Sequence, residues 1–256
     1  MMTVPPSKAV PTPLFSRLGV LGLVIVMIAS FFGSQLLGLY IAAKMVLPDA
    51  AELTVGELFA QGGEQGTIVS LSVLFCFVLL SLLTYLLVAR KVSNSQQLFA
   101  YLGFRRITGR MLLQGASLLT LFILVNEVAS QLLNRTPLDF VDPLFASTNA
   151  KWLLVLVIVV VAPLYEELVF RGLIWSAIAE QFDRQRGVII ASIISSILFA
   201  AIHTQYELFE MSAIFVLALI FCYVRVKSNS LWLPILLHIL NNGVAMVLYL
   251  TMGSGA

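Results

Sequence analysis

The chain has 256 residues, of which 60% are hydrophobic and 11% charged, with a formal net charge of +2. That balance is far from the mix of a water-soluble domain and identifies a polytopic, all-α membrane protein. Two cysteines, Cys76 and Cys222, lie in apolar runs and exclude a disulfide framework; they read as packing residues.

Residues 1–17, opening MMTVPPSKAVPTP, read as a short disordered lead containing prolines. A helix needs about 20 mainly apolar residues to cross a hydrocarbon core about 30 Å thick. Seven segments meet that demand, approximately 18–43, 67–89, 111–133, 151–171, 187–205, 210–226 and 231–250. The first is too long, and lacks the small-residue cleavage site, for a signal peptide, so it is a retained span. The loop 47–66, LPDAAELTVGELFAQGGEQG, is acidic and is expected on the external face with a short surface helix.

Lysine and arginine set the orientation, because cytoplasmic loops carry their excess. With the N-terminus inside, the inner segments hold Lys8, Arg17, Arg90, Lys91, Arg105, Arg106, Arg110, Arg171, Arg184, Arg186, Arg225 and Lys227. The outer ones hold Lys44, Arg135 and Lys151, which makes twelve against three of the fifteen basic residues. The expectation is a plasma (inner) membrane protein with a cytoplasmic N-terminus and an external C-terminus. No internal repeat is visible, which weighs against the inverted-repeat plan of many transporters.

The second half of the chain places ionisable residues at membrane depth, where each costs at least about 2.5 kcal/mol on insertion scales and faces a bundle interior or a wet cavity. Three polar groups stand on three of the last four spans: YEELVFR (165–171), FAAIH (199–203) and HILNN (238–242). Glu167 and Arg171 are four apart, in the order that favours an ion pair. Glu166 is rotated about 100° away and left free, with desolvation expected to raise its pKa. Phe199 and His203 share a helical face, as do His238 and Asn242, and the chain has no other histidine. Singly, each group reads as a helix-to-helix contact or a charged helix end. Together they read as one site.

A carboxylate and two imidazoles offer two routes to an activated water. Glu166, His203 and His238 make one set of zinc donors, with a position left for water. Alternatively, Glu166 serves as a general base without metal. Asn242, with an imidazole, would hold the developing oxyanion. Ser195 and Ser196 have no histidine neighbour in sequence and are not read as nucleophiles. Water-driven amide hydrolysis is the reaction class that follows.

The stretch 153–250 resembles the CPBP intramembrane proteases, the family of type II CAAX prenyl proteases and bacteriocin-processing enzymes also called Abi. The resemblance rests on Glu166, Glu167 and Arg171, then Phe199 and His203, then His238 and Asn242, in the family's order, and on the run SNSLWLPILLHILNN. It implies that Glu166 and His203 activate water, that His238 and Asn242 stabilise the oxyanion, and that Glu167, Arg171 and Phe199 support the site. Family members are described both as zinc enzymes and as metal-free glutamate enzymes, so the cofactor is zinc or none. Some are immunity or scaffold proteins, which supplies the rival reading; an ion transporter is a third.

The resulting plan is a lead (1–17), three spans without a motif (18–150), a catalytic membrane core (151–250) and a tail (251–256). The partners expected are a peptide or protein substrate at the membrane and the lipid bilayer, with no nucleic acid. The tail TMGSGA lacks cysteine and is no prenylation signal. One geometric tension stands: His203 lies about 24 Å along its span from Gly187, too far out for Glu166. It is relieved if the fourth helix runs on through GLIWSAIAEQF (172–182), so that the fifth begins in the cytosol, or if the fifth is strongly tilted.

Overall fold

A computed structural model describes residues 12–135 and 141–253. Among these there is no strand, and seven helices are long and apolar enough to cross a membrane. They are Arg17–Val46, Gly66–Ala89, Gly109–Leu132, Lys151–Ala179, Arg184–Ala201, Leu208–Ser228 and Trp232–Thr251, called the first to seventh spans below. The chain is an all-α membrane bundle.

Local chemistry sets the helix ends. Ser16, Thr108 and Asp183 cap the first, third and fifth spans by accepting backbone N–H bonds that the first turn leaves unmet. In the loop after the first span, Thr54 and Glu57 form a reciprocal capping box that starts the short helix Val55–Gly63, as the loop's composition predicts. A second short helix, Ser95–Leu102, joins the second and third spans.

The outward faces are apolar, with Leu18, Leu21, Ile25, Leu113, Leu121, Leu124 and Val247 all exposed. That is the surface a lipid-facing bundle presents. Trp152 and Trp232, exposed at the starts of the fourth and seventh spans, stand where amphipathic indoles anchor at the two interfaces. Inside, the first span packs on the second and the fifth on the sixth. The third packs through Leu119 against Leu217, Phe221, Leu233 and Leu237 of the sixth and seventh. The first span reaches the fourth through Phe31, whose ring lies 6.2 Å from Tyr165 and 6.5 Å from Phe170.

Three expectations are revised. The fourth span runs unbroken to Ala179, so Arg171 is an interior residue and not a loop cation. Removing it from the charge count leaves eleven against three, and the asymmetry persists. The fifth span ends at Ala201, and His203 sits in the turn that follows. Of the expected lead, residues 1–11 lie outside the described residues; Phe15 is buried, its N–H donating to Glu180 Oε1 at 3.1 Å and its carbonyl accepting from Gln181 Nε2 at 2.9 Å. The packed chain therefore begins before the first span. Of the tail, residues 251–253 continue the last helix, and 254–256 lie outside the described residues.

The hairpin between the fourth and fifth spans is tight because Gly187 has no side chain: a Cβ there would lie 2.2 Å from the Ala179 carbonyl oxygen. Gly187→Ala is expected to force these two spans apart at a cost of about 1–3 kcal/mol, read as a melting temperature in detergent several degrees lower. Gly22→Ala, where nothing lies within 4 Å, should leave it unchanged. Equal melting temperatures for the two variants would show that the hairpin tolerates separation.

Candidate active site

The fourth span is an α-helix only in part. Widened, π-helical stretches at Val157–Val161 and Leu168–Ile174 flank a regular stretch at Ala162–Glu167. Pro163 explains the first: it has no N–H to donate, and its ring crowds the carbonyl four residues earlier, at Val159. Such insertions cluster at functional sites because they turn side chains away from the regular register. Glu166 and Glu167 close the stretch between the two.

Glu167 lies at the centre of the polar cluster. Its Oε1 accepts from Arg171 Nη1 at 2.9 Å and from His238 Nδ1 at 3.0 Å. Both side chains of the Glu167–Arg171 pair are fully buried. Arg171 also donates through Nη2 to the Ala218 carbonyl at 3.3 Å. Its guanidinium carbon lies 4.2 Å from the centre of the Phe199 ring and 5.5 Å from that of Phe221. One arginine thus ties the fourth, fifth and sixth spans, and the shared carboxylate adds the seventh.

Glu166 meets the other side of the same imidazole. Its Oε2 lies 3.8 Å from His238 Nε2. His238 therefore spans the two adjacent glutamates, with a different nitrogen toward each. Since Glu167 already accepts from Arg171, the His238 Nδ1 contact places a proton on Nδ1. Nε2 is then a lone pair in the neutral ring and a donor in the charged one.

His203 reaches this level through Phe199. The Phe170 and Phe199 rings are 5.3 Å apart, so Phe199 stands beside Phe170 and Arg171. The fourth and fifth spans run in opposite directions, and four residues beyond Phe199 the chain is level with Glu166 and Glu167. The Phe199 ring lies 4.7 Å from that of His203 and 5.8 Å from that of His238. His203 Nδ1 donates to the Phe199 carbonyl at 2.7 Å. A carbonyl only accepts, so the neutral His203 keeps its lone pair on Nε2.

Asn242, one turn after His238, donates through Nδ2 to the Ile158 carbonyl at 3.0 Å, and its Oδ1 accepts from Asn241 at 3.2 Å. It is fixed to the first widened stretch of the fourth span, and its second amide hydrogen is left for another acceptor. Ser195 and Ser196 have structural partners, the Phe170 carbonyl at 3.0 Å and Cys222 Sγ at 3.7 Å. Both cysteines are free and buried.

Some neighbours carry no sequence motif. Phe221 of the sixth span packs its ring 5.1 Å from that of His238, and the Tyr206 ring lies 6.2 Å from that of His203. Burial first, then the charges of Glu166 and Glu210, pushes the Tyr206 phenol well above its ordinary pKa, so it stays a hydrogen-bond donor. Helical spacing reports neighbours on one helix and is silent about these cross-helix contacts. An open cleft of about 460 Å³ lies elsewhere, lined by Gln61, Glu64, Gln65, Pro143, Ala146 and Ser147.

The donor types at the site suit zinc: each histidine is held at Nδ1, by Phe199 O or by Glu167, in the manner of metal-bound imidazoles. The sequence offers no carboxylate within a helical turn of His238; Glu167 supplies one from another span. Yet among the described residues no three His, Cys, Asp or Glu side chains are gathered to hold one ion. As placed, they do not form a metal centre.

Comparison with known proteins bears on the same region. Residues 148–244 match the family model described as Type II CAAX prenyl endopeptidase Rce1-like. An uncharacterized 24.3 kDa protein of Escherichia coli is 34% identical over 102 residues, 39% of this chain and 46% of that protein. The membrane-embedded CAAX protease MroQ of Staphylococcus aureus is 32% identical over 93 residues, 36% of this chain and 37% of the relative. A putative membrane peptidase of Bacillus subtilis, YdiL, is 28% identical over 98 residues, 38% of each chain. The matched stretches span less than half the length of these relatives. No solved structure matches the chain. The polar cluster and all three motifs fall within the matched region, so the last four spans are similar to the Rce1-like type II CAAX prenyl endopeptidases.

Proposed function

We propose that this chain is an intramembrane endopeptidase that hydrolyses peptide bonds of membrane-associated substrates, using a water activated by Glu166 and His203. The observation that carries this reading is the 3.8 Å approach of Glu166 to His238 Nε2 beside the fully buried Glu167–Arg171 pair. Glu166, Glu167 and Arg171 sum to one negative charge when His238 is neutral, and to zero when the Glu166–His238 pair holds one further proton. Burying an uncompensated charge is costly, and in the mechanism that follows His238 carries that proton.

With the proton on His238, each group has a task. Glu166 and the Nε2 lone pair of His203 hold a water between them. The water oxygen adds to the scissile carbonyl carbon while its proton passes to Glu166. The oxyanion takes hydrogen bonds from His238 Nε2–H and from the free amide hydrogen of Asn242. Collapse breaks the C–N bond, and Glu166 returns the proton to the departing amine. Glu167 and Arg171 are positioning residues that hold the His238 tautomer and the fourth span. No step passes through a metal.

On purified protein with a fluorogenic peptide, Glu166→Gln should lower turnover about 10²- to 10⁴-fold with an unchanged melting temperature. Arg171→Ala, which strands a buried carboxylate, should instead cost about 3–5 kcal/mol of stability and reduce the folded yield. Equal losses of folded protein would contradict this division of roles, and activity unaffected by Glu166→Gln would contradict the mechanism. Activity should also survive dialysis against a strong chelator. Loss of activity restored by zinc, with about one equivalent bound, would overturn the metal-free route.

The reading includes a plasma (inner) membrane location with the N-terminus in the cytoplasm, supported by the eleven-to-three charge asymmetry. In intact cells, a membrane-impermeant thiol reagent should label Glu64→Cys, and should label Ser95→Cys only after lysis. The opposite pattern would invert the topology.

A further inference from the structure

At the membrane face that bears Arg17, a second buried arginine has no counter-charge. Arg225, near the end of the sixth span, is 5% exposed, and its Nε is buried without a hydrogen-bond partner. No carboxylate among the described residues pairs with it. Its guanidinium carbon lies 5.5 Å from the centre of the Trp175 ring, and the leading charge acting on it is that of another cation, Arg105. The acidic group at the neighbouring end of the fourth span, Glu180, accepts instead from the Phe15 N–H and the Tyr101 hydroxyl.

The backbone is shaped around this guanidinium. Gly103, after the helix Ser95–Leu102, takes the left-handed φ of +88°, and a Cβ there would lie 2.0 Å from Arg225 Nη2. The Gly103 carbonyl accepts from the Leu231 N–H at 2.7 Å, and the Arg105 carbonyl accepts from Ser230 Oγ at 2.5 Å. These bonds pin the Arg105 segment to the turn that follows Arg225. Residues 90–110 and 223–232 contain five and two basic residues and no acidic one. The Phe104 and Trp232 rings, 5.2 Å apart, pack together beside this turn, with Trp232 exposed at the start of the seventh span, the level at which lipid headgroups lie.

Arg105 stands two residues beyond the glycine that packs on the Arg225 guanidinium, and two cations in one segment without an anion repel each other; a phosphate, which accepts forked arginine bonds, relieves that repulsion. Basic pockets between membrane helices take phospholipid headgroups in this way. We propose that Arg225 and Arg105 form a binding site for the phosphate headgroup of an anionic phospholipid. The helix C-terminus accounts for a cation at Arg225; it does not account for a neighbouring cation or for the glycine left open against the guanidinium.

The test uses the full chain, delipidated in neutral detergent, with melting temperature and native mass spectrometry as readouts. Phosphatidylglycerol should raise the melting temperature and leave one retained lipid. Phosphatidylcholine and inorganic phosphate should do neither. Arg105→Gln, an exposed substitution, should keep the lipid-free melting temperature and lower phosphatidylglycerol retention at least about tenfold, the loss of roughly one charge-assisted bond. Arg225→Gln should do the same, and if that variant fails to fold, Arg105→Gln alone decides the outcome. An equal phosphatidylglycerol effect in wild type and Arg105→Gln, or no effect in wild type, would overturn the proposal. A full effect from inorganic phosphate alone would also overturn it, in favour of a free-anion site.

Discussion

The organisation of the last four spans depends on one carboxylate oxygen. Glu167 Oε1 receives both Arg171 and His238, with no exposed atom on either member of the ion pair. In an apolar interior such a pair adds little net stability, yet losing one partner leaves a bare charge and costs several kcal/mol. The interaction therefore acts as a constraint: helices that do not bring Arg171, Glu167 and His238 together leave a buried charge unmet. Phe199 and Phe221 stack on both the arginine and the histidine sides of this cluster. Their faces meet the Arg171 guanidinium, whose Nε has no hydrogen-bond partner.

The same constraint gives the motif-free spans a role. Phe31 of the first span packs on Tyr165 and Phe170, the residues that flank Glu166, Glu167 and Val169 along the fourth helix. The third span backs the seventh, where a Cβ at Gly115 would lie 2.8 Å from Leu237, the residue before His238. These spans lie outside the matched family region, and they close the bundle around the polar cluster by packing alone.

Much of this was legible in the sequence because the informative residues are expensive ones. Charges at membrane depth stand out against an apolar background, and the spacing of Glu167 and Arg171 states their pairing. The freedom of Glu166 follows from it. The contact of Glu167 with His238 was not legible: it joins residues 71 apart on different spans, and helical periodicity carries no information across helices. Arg171 looked like a loop cation because about 20 residues from Lys151 already suffice to cross the membrane, whereas the helix continues for two more turns. The widening of the fourth span had one local signal, Pro163 in the middle of an apolar run, and that signal marks a break in the ladder without saying which way the backbone yields. His203 lies past the end of its helix: the polar run HTQYE (203–207) marks that boundary, but the length expected of a membrane span carries the helix through it to 205.

A double-mutant cycle across Glu167 and His238 tests the central constraint most directly. The free energy of unfolding in mixed micelles is measured for wild type, Glu167→Gln, His238→Gln and the double variant. A shared buried oxygen predicts a coupling of about 1–3 kcal/mol, the range for residues in one network. Additivity of the two single effects to within about 0.5 kcal/mol would show that the two side chains do not hold each other, and would contradict the account.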